Sequence, residues 1–215
     1  DYLEHCRTLD EAVRFRRPVN GHRWAWGLVL LGLLVWWIDA QSEREIALVI
    51  GEPWEDMRQR SSASIGPTIP GHISFSIPKS DARLRFVHEK YGFTTPSARF
   101  FTVGFSRDEL VGSIRMSPQI EPLLLDDILK VALDLQEQWR QGGWVPTLPN
   151  ESPPIADTAQ WRAKLRDVRR GGTTYWQAGD QYQIMMMVHR FKDYRHPTQE
   201  RYLITLSIGE PWVKP

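Results

Sequence analysis

From Trp24 to Ile38 the chain carries no charge and no strongly polar side chain. This run constrains the rest more than any other feature. Trp24 and Trp26 stand at its start, Trp36 and Trp37 near its end. As a helix it would rise roughly 22 Å, short of the roughly 30 Å hydrocarbon core of a bilayer. Tryptophan rings prefer the headgroup level at both faces of a membrane, and a short span can be matched by local thinning. A buried core helix is the competing reading, but the run is apolar all the way round. A cleaved signal peptide is another, yet Trp36, Trp37 and Ile38 are poor neighbours for a cleavage site that needs small residues. The expectation is a membrane anchor touching lipid through its four tryptophans.

Charge sets its orientation. Arg14, Arg16, Arg17 and Arg23 precede the run, and Asp39, Glu43, Arg44 and Glu45 follow it. Arginines near the end of a span stay on the cytoplasmic side. The chain therefore divides into a cytoplasmic arm (1–23), a transmembrane anchor (24–38) and an extracytoplasmic domain (39–215). In a Gram-negative cell this places a single-pass protein in the inner membrane, with its main domain in the periplasm. The lone cysteine, Cys6, falls in the arm, and a domain of this length can build a core without disulfides. Basic and acidic residues balance beyond residue 38, which argues against a nucleic-acid partner, whose footprint is a basic patch.

The periodicities beyond residue 39 describe an α+β domain, an antiparallel sheet with two packed helices. Ile46–Ile50 reads as a strand, and Pro53 suits the start of a short helix over Trp54–Arg60. Residues 61–71 have loop chemistry. Strands are expected over His72–Ile77, Ala82–Val87, Ala98–Ser106 and Leu110–Met116, the last two joined at Arg107–Glu109. Leu124, Ile128, Val131, Ala132, Leu135 and Trp139 share one helical face. Pro122 fits that helix's first turn, and Gly142 with Gly143 its end. Asp157 and Gln160 suggest a capping box for a second helix with Trp161, Leu165 and Val168 inward. Strands over Thr173–Ala178, Gln181–Phe191 and Arg201–Ile208 complete the chain. Gly179-Asp180 is a hairpin turn. Met185–Met187 is apolar on both faces, as in a central strand covered on both sides. Ile46–Trp54 and Ile204–Trp212 match at seven of nine positions, either by duplication or because two strand ends need the same turn.

Catalytic motifs are absent or incomplete. Gly104-Phe105-Ser106-Arg107-Asp108 fails the nucleophile elbow at its last position, and there is no Walker loop or dinucleotide fingerprint. His189 and His196, Asp126 and Asp127, and Ser61, Ser62 and Ser64 are the remaining candidates, each more simply read as surface, helix-dipole or loop residues. No cofactor, metal or enzymatic activity is expected.

The stretches Met116–Asp127 and Gly171–Asp180, together with the anchor, give a chain that resembles the accessory proteins of type VI secretion lipase effectors, either immunity proteins or loading adaptors. The resemblance implies a non-enzymatic protein that binds a cognate antibacterial lipase. An envelope scaffold and a membrane-tethered hydrolase are the alternatives. Binding hot spots favour Trp, Tyr and Arg and often lie on loops. The candidate partner-binding residues are therefore Tyr91 and Phe93 in one loop, Trp144 in a second, and Tyr194 and Arg195 in a third.

The orientation is open to a direct test. A reporter active only outside the cytoplasm, fused after Pro215, should be active. Replacing Arg14, Arg16, Arg17 and Arg23 by glutamate should weaken that orientation. A silent reporter on an intact chain would sink the topology.

Overall fold

The computed structural model describes residues 43–213. The arm, the apolar run with its four tryptophans and residues 214–215 lie outside the described residues. Among the described residues no helix is long and apolar enough to cross a membrane.

The domain is α+β, with three helices and two sheets. In chain order the elements are β1 (Glu45–Leu48), α1 (Trp54–Arg60), β2 (Ser74–Ser76), β3 (Arg83–Phe86), β4 (Phe93–Thr94), β5 (Phe101–Phe105) and β6 (Val111–Met116). There follow α2 (Leu125–Gln141), β7 (Val145–Thr147), α3 (Ala159–Arg166), β8 (Gly172–Ala178), β9 (Tyr182–Phe191) and β10 (Arg201–Gly209).

The large sheet runs β2-β5-β6-β10-β9-β8-β7, antiparallel throughout. The small sheet runs β1-β3-β4 and corrects the expectation of a single antiparallel sheet, because β1 pairs with β3 in parallel. Parallel neighbours need a long connection, and α1 and β2 supply it. Glu45 ties the pair together by accepting from Arg83 and Arg85 at 3.1 and 2.9 Å. Burial raises its pKa, but the hydrogen bonds from Arg85 and Arg83 outweigh burial and leave it lowered.

The helices follow the periodicity with local corrections. In α2 the buried face is Leu125, Ile128, Leu129, Ala132, Leu135, Gln136 and Trp139. Leu124 is the N-cap residue, extended and exposed. Pro122 lies before the helix rather than in its first turn. Helix α3 is capped by Thr158, whose hydroxyl accepts from the Trp161 N–H. Asp157 instead receives Arg162, so the expected capping box is not formed. The helix ends at Arg166, which leaves Val168 outside it and exposed. Gly171 takes a left-handed φ of 58°. A Cβ on Gly172 would lie 2.7 Å from the Trp161 ring, so only glycine lets β8 start beneath that indole.

Both edges of the large sheet are closed. Residues 65–69 run beside β2: Ile65 bridges Pro78, the Ser76 hydroxyl donates to the Pro67 carbonyl, and the Ile69 N–H donates to the Ser74 hydroxyl. At the other edge β7 is three residues long and contains Pro146. Prolines and short strands of this kind block pairing with another chain.

The core lies between the large sheet and α2, with α3 against β9. Met186 is buried, but Met185 and Met187 are only half-buried, so the run in β9 is covered on one face and not on both. Leu135 is fully buried. Leu135→Ala should cost about 2–5 kcal/mol, measured by denaturant titration. A cost near zero would mean that α2 does not pack as described.

Candidate functional site

The five residues singled out for partner binding fall into two groups. Phe93 is a buried residue of β4, and Trp144 is 2% exposed, immediately before β7. With Phe86 and Tyr182 they form a ring cluster between the two sheets. Phe86 stacks on Phe93 at 5.5 Å, and Trp144 meets Phe93 edge-on at 6.0 Å. Tyr91 is half-buried, its ring 5.8 Å from Trp144, and the Trp144 indole N–H donates to the Tyr91 carbonyl at 3.0 Å. Such clusters add to stability beyond their area. Phe93 and Trp144 are thus core residues, because the loops expected to hold them contain strands that close onto the sheets. Their truncation would disturb the fold, which corrects the expectation of a free binding loop.

Tyr194 and Arg195 are exposed. Their loop is held by Asp193, whose carboxylate is buried. It accepts from the His196 ring at 2.9 Å, the Arg195 N–H at 2.9 Å and the Arg195 guanidinium at 3.3 Å. The His196 hydrogen bond foremost holds its pKa down to about 2. A depressed acid stabilises the fold above its unfolded pKa. That contribution is lost as the pH falls from about 4 toward about 2.

The weaker catalytic candidates have local partners. Asp126 accepts from Arg162 at 2.6 Å, and Asp127 shares the first turn of α2. The Ser61 hydroxyl accepts from the Ala47 N–H and donates to the Met57 carbonyl, and Ser62 accepts from the Glu45 N–H. His189 stands on β9 with Nδ1 buried and unpaired among protein atoms. Among the described residues no group of three or more histidines, cysteines and acids is arranged to hold a metal.

A concavity that the sequence reading did not single out lies on the face of the large sheet that carries Met185 and Ser207, opposite the buried side chains. It is a groove of about 630 Å³ across β5, β6, β10 and β9. Gly104, Gly112 and Gly209 lower its floor. Phe75 and Phe100 form one wall, and Met185, Trp212 and Glu210 line the rest. Gly104 makes room for Phe75, whose ring lies 3.2 Å from where a Cβ there would stand. Register places Arg115 between Thr102 and Ser207, with Met185 beyond Ser207. Among the described residues no carboxylate lies within ion-pair distance of Arg115.

Gln183, fully buried, holds the end of the groove. Its amide accepts from the Trp212 and Val213 N–H groups at 3.2 and 2.9 Å and donates to the Val213 carbonyl at 2.8 Å. Polar alternation along β9 could have suggested the open face, but nothing in one sequence marks Gln183 as the clamp for a segment thirty residues away.

No family model, curated protein or solved structure matches this chain.

Two substitutions separate core from surface. Trp144→Ala should cost about 3–5 kcal/mol, whereas Tyr194→Ala should change stability by no more than about 0.5 kcal/mol. Equal melting curves for the two variants would contradict the placement of Trp144.

Proposed function

We propose that this is a membrane-anchored, non-enzymatic protein that grips a cognate antibacterial lipase of type VI secretion, as its immunity protein or its loading adaptor. The domain would work outside the cytoplasm. Two supports differ in kind: the accessory proteins of such lipases are what the sequence resembles, and the open sheet face has the chemistry of a grip.

The groove is the single observation that carries the binding reading. Its lining is mostly apolar and aromatic, its floor is low, and among the described residues Arg115 has no carboxylate within ion-pair distance. Arginine and large aromatic groups in desolvated patches supply most of the energy of protein interfaces. Exposed Ile73, Phe75 and Ile77 extend the apolar surface along β2. Contiguous exposed apolar surface on a soluble domain marks an interaction site. The closed edges direct a partner to the face rather than to strand addition. A groove built on strands is also stiff, which lowers the ordering cost of binding.

The test is capture of the lipase encoded beside this gene by the full chain. Phe75→Asp and Arg115→Glu should each weaken capture by about 2 kcal/mol or more, read by titration calorimetry. Asp180→Ala, at the β8–β9 turn, should leave capture unchanged. Loss of protection in the same variants identifies an immunity protein, and loss of toxin delivery identifies an adaptor. Undiminished capture by both groove variants would remove this face from the reading.

A further inference from the structure

The end of the domain where α3 stops and β9 meets β10 has a composition unlike the groove. Val168 is 68% exposed and Tyr194 80% exposed; Val168 and Phe191 line one concavity together with Arg190 and Lys192. Arg166, Arg169 and Arg170 flank Val168 in sequence, at and just beyond the end of α3, and Arg195 follows Tyr194. The carboxylates at this end are already engaged. Glu200 takes Arg166 and Arg190 at 3.3 and 3.7 Å, Asp167 takes Arg170 at 3.3 Å, and Asp193 is buried under Arg195 and His196. Glu121 reaches Arg195 at 3.6 Å. Among the described residues Arg169 and Lys192 have no carboxylate within ion-pair distance, and the local excess of charge is positive although the extracytoplasmic part as a whole is balanced.

The loop is exposed, and hydrogen bonds to Asp193 tie it down. Asp193 fixes its backbone, and the Lys192 ammonium sits 5.1 Å from the centre of the Tyr194 ring. The loop therefore presents an aromatic ring and a cation together with little further ordering cost. Tyrosine places its ring among acyl chains and its hydroxyl among headgroups. Arginine and lysine stems lie along apolar surface while their charges reach phosphate. Basic residues at such a surface attract anionic lipid, each changing partitioning about fivefold.

We propose that this end of the domain docks on an anionic bilayer surface, with Val168, Phe191 and Tyr194 at the headgroup level and Arg169, Lys192 and their neighbours on lipid phosphates. The apolar groups distinguish a bilayer from a nucleic acid, which would gain little from an exposed valine and phenylalanine. The groove is a separate surface, so the docking stands whether or not the groove binds a lipase.

The test uses the full chain with Cys6→Ser and a single Thr198→Cys carrying an environment-sensitive fluorophore, in vesicles of phosphatidylcholine with or without phosphatidylglycerol. The same label at Asp180→Cys, at the far end of β9, is the control. The label at 198 should shift to the blue and be quenched by lipid-borne quenchers only when phosphatidylglycerol is present. The effect should vanish at about 1 M salt, where the Debye length falls to about 3 Å. It should also be largely lost in Arg169→Glu with Lys192→Glu, and weakened in Val168→Ser with Tyr194→Ser. These positions are exposed, and an unchanged melting temperature would show that the fold survives. Equal shielding in both lipid compositions, persistence in the charge-reversed variant, or response to DNA or polyglutamate with none to vesicles would each overturn the proposal.

Discussion

One long helix has to cover a sheet seven strands wide, and it can do so on only one side. Helix α2 is seventeen residues long, about 25 Å at 1.5 Å per residue. Seven strands at about 4.8 Å spacing span roughly 30 Å. With α3 against β9, this layer buries Ile184, Met186, Val188, Ile204, Leu206 and Ile208 on the inner face. Alternate residues of the same strands, Met185, Met187, Thr205 and Ser207, are left on the outer face, half-exposed. A sheet with one covered face needs its edges protected, and proline-bearing segments do that at both ends. The face opposite α2 is therefore the outcome of a two-layer architecture, and it offers surface that is neither core nor edge.

Three buried glutamines hold the irregular segments to this frame. The Gln119 amide donates to the Tyr202 carbonyl and accepts from the Ile204 N–H, fixing the link between β6 and α2 onto β10. Gln136 does the same from inside α2, donating to the Ile155 carbonyl and accepting from the Ile155 N–H. Gln183 receives the chain end at Trp212 and Val213. Each presents a donor and an acceptor side by side, so each satisfies a backbone pair as a strand neighbour would. A buried backbone group without a partner costs about 1–3 kcal/mol, so these side chains are what permit non-strand segments to lie against a core.

Much of the frame was legible because period and punctuation agree there. The alternation around Phe101, Val103 and Phe105, the Gly179-Asp180 turn and the stripe through Ile128, Leu135 and Trp139 each name an element and its buried face. Long-range pairings were less legible. Nothing local says that β1 lies parallel to β3, since Glu45 pairs with Arg83, far along the chain. Leu124 and Leu125 are identical in kind, and only the point where the helix begins decides which faces the core. Trp144 and Phe93 looked like loop aromatics because β7 and β4 are too short to show a period. The groove was invisible for a related reason: it is made by glycines from three strands and closed by a glutamine contact across the sheet.

The Gly-Glu-Pro-Trp echo shows how similar letters serve different geometry. After β1, Gly51 turns with a φ of 92° and donates to the Val111 carbonyl, and the Glu52 carbonyl accepts from the Val111 N–H. Pro53 then opens α1, and the Trp54 indole donates to the Gly66 carbonyl. At the end of β10, Gly209 is still in the strand, paired with Ser113, and the Trp212 N–H beyond it donates to Gln183. The two segments belong to different sheets, one parallel to its neighbour and one antiparallel, yet both meet β6, at Val111 and at Ser113. The glycines answer different needs: Gly51 takes a positive φ that favours glycine, whereas a Cβ at Gly209 would meet only ordinary van der Waals contacts. The prolines differ too: Pro53 bridges Leu110, whereas Pro211 follows the last strand. The tryptophans also diverge: Trp54 donates to the Gly66 carbonyl at a helix start, and Trp212 lines the groove.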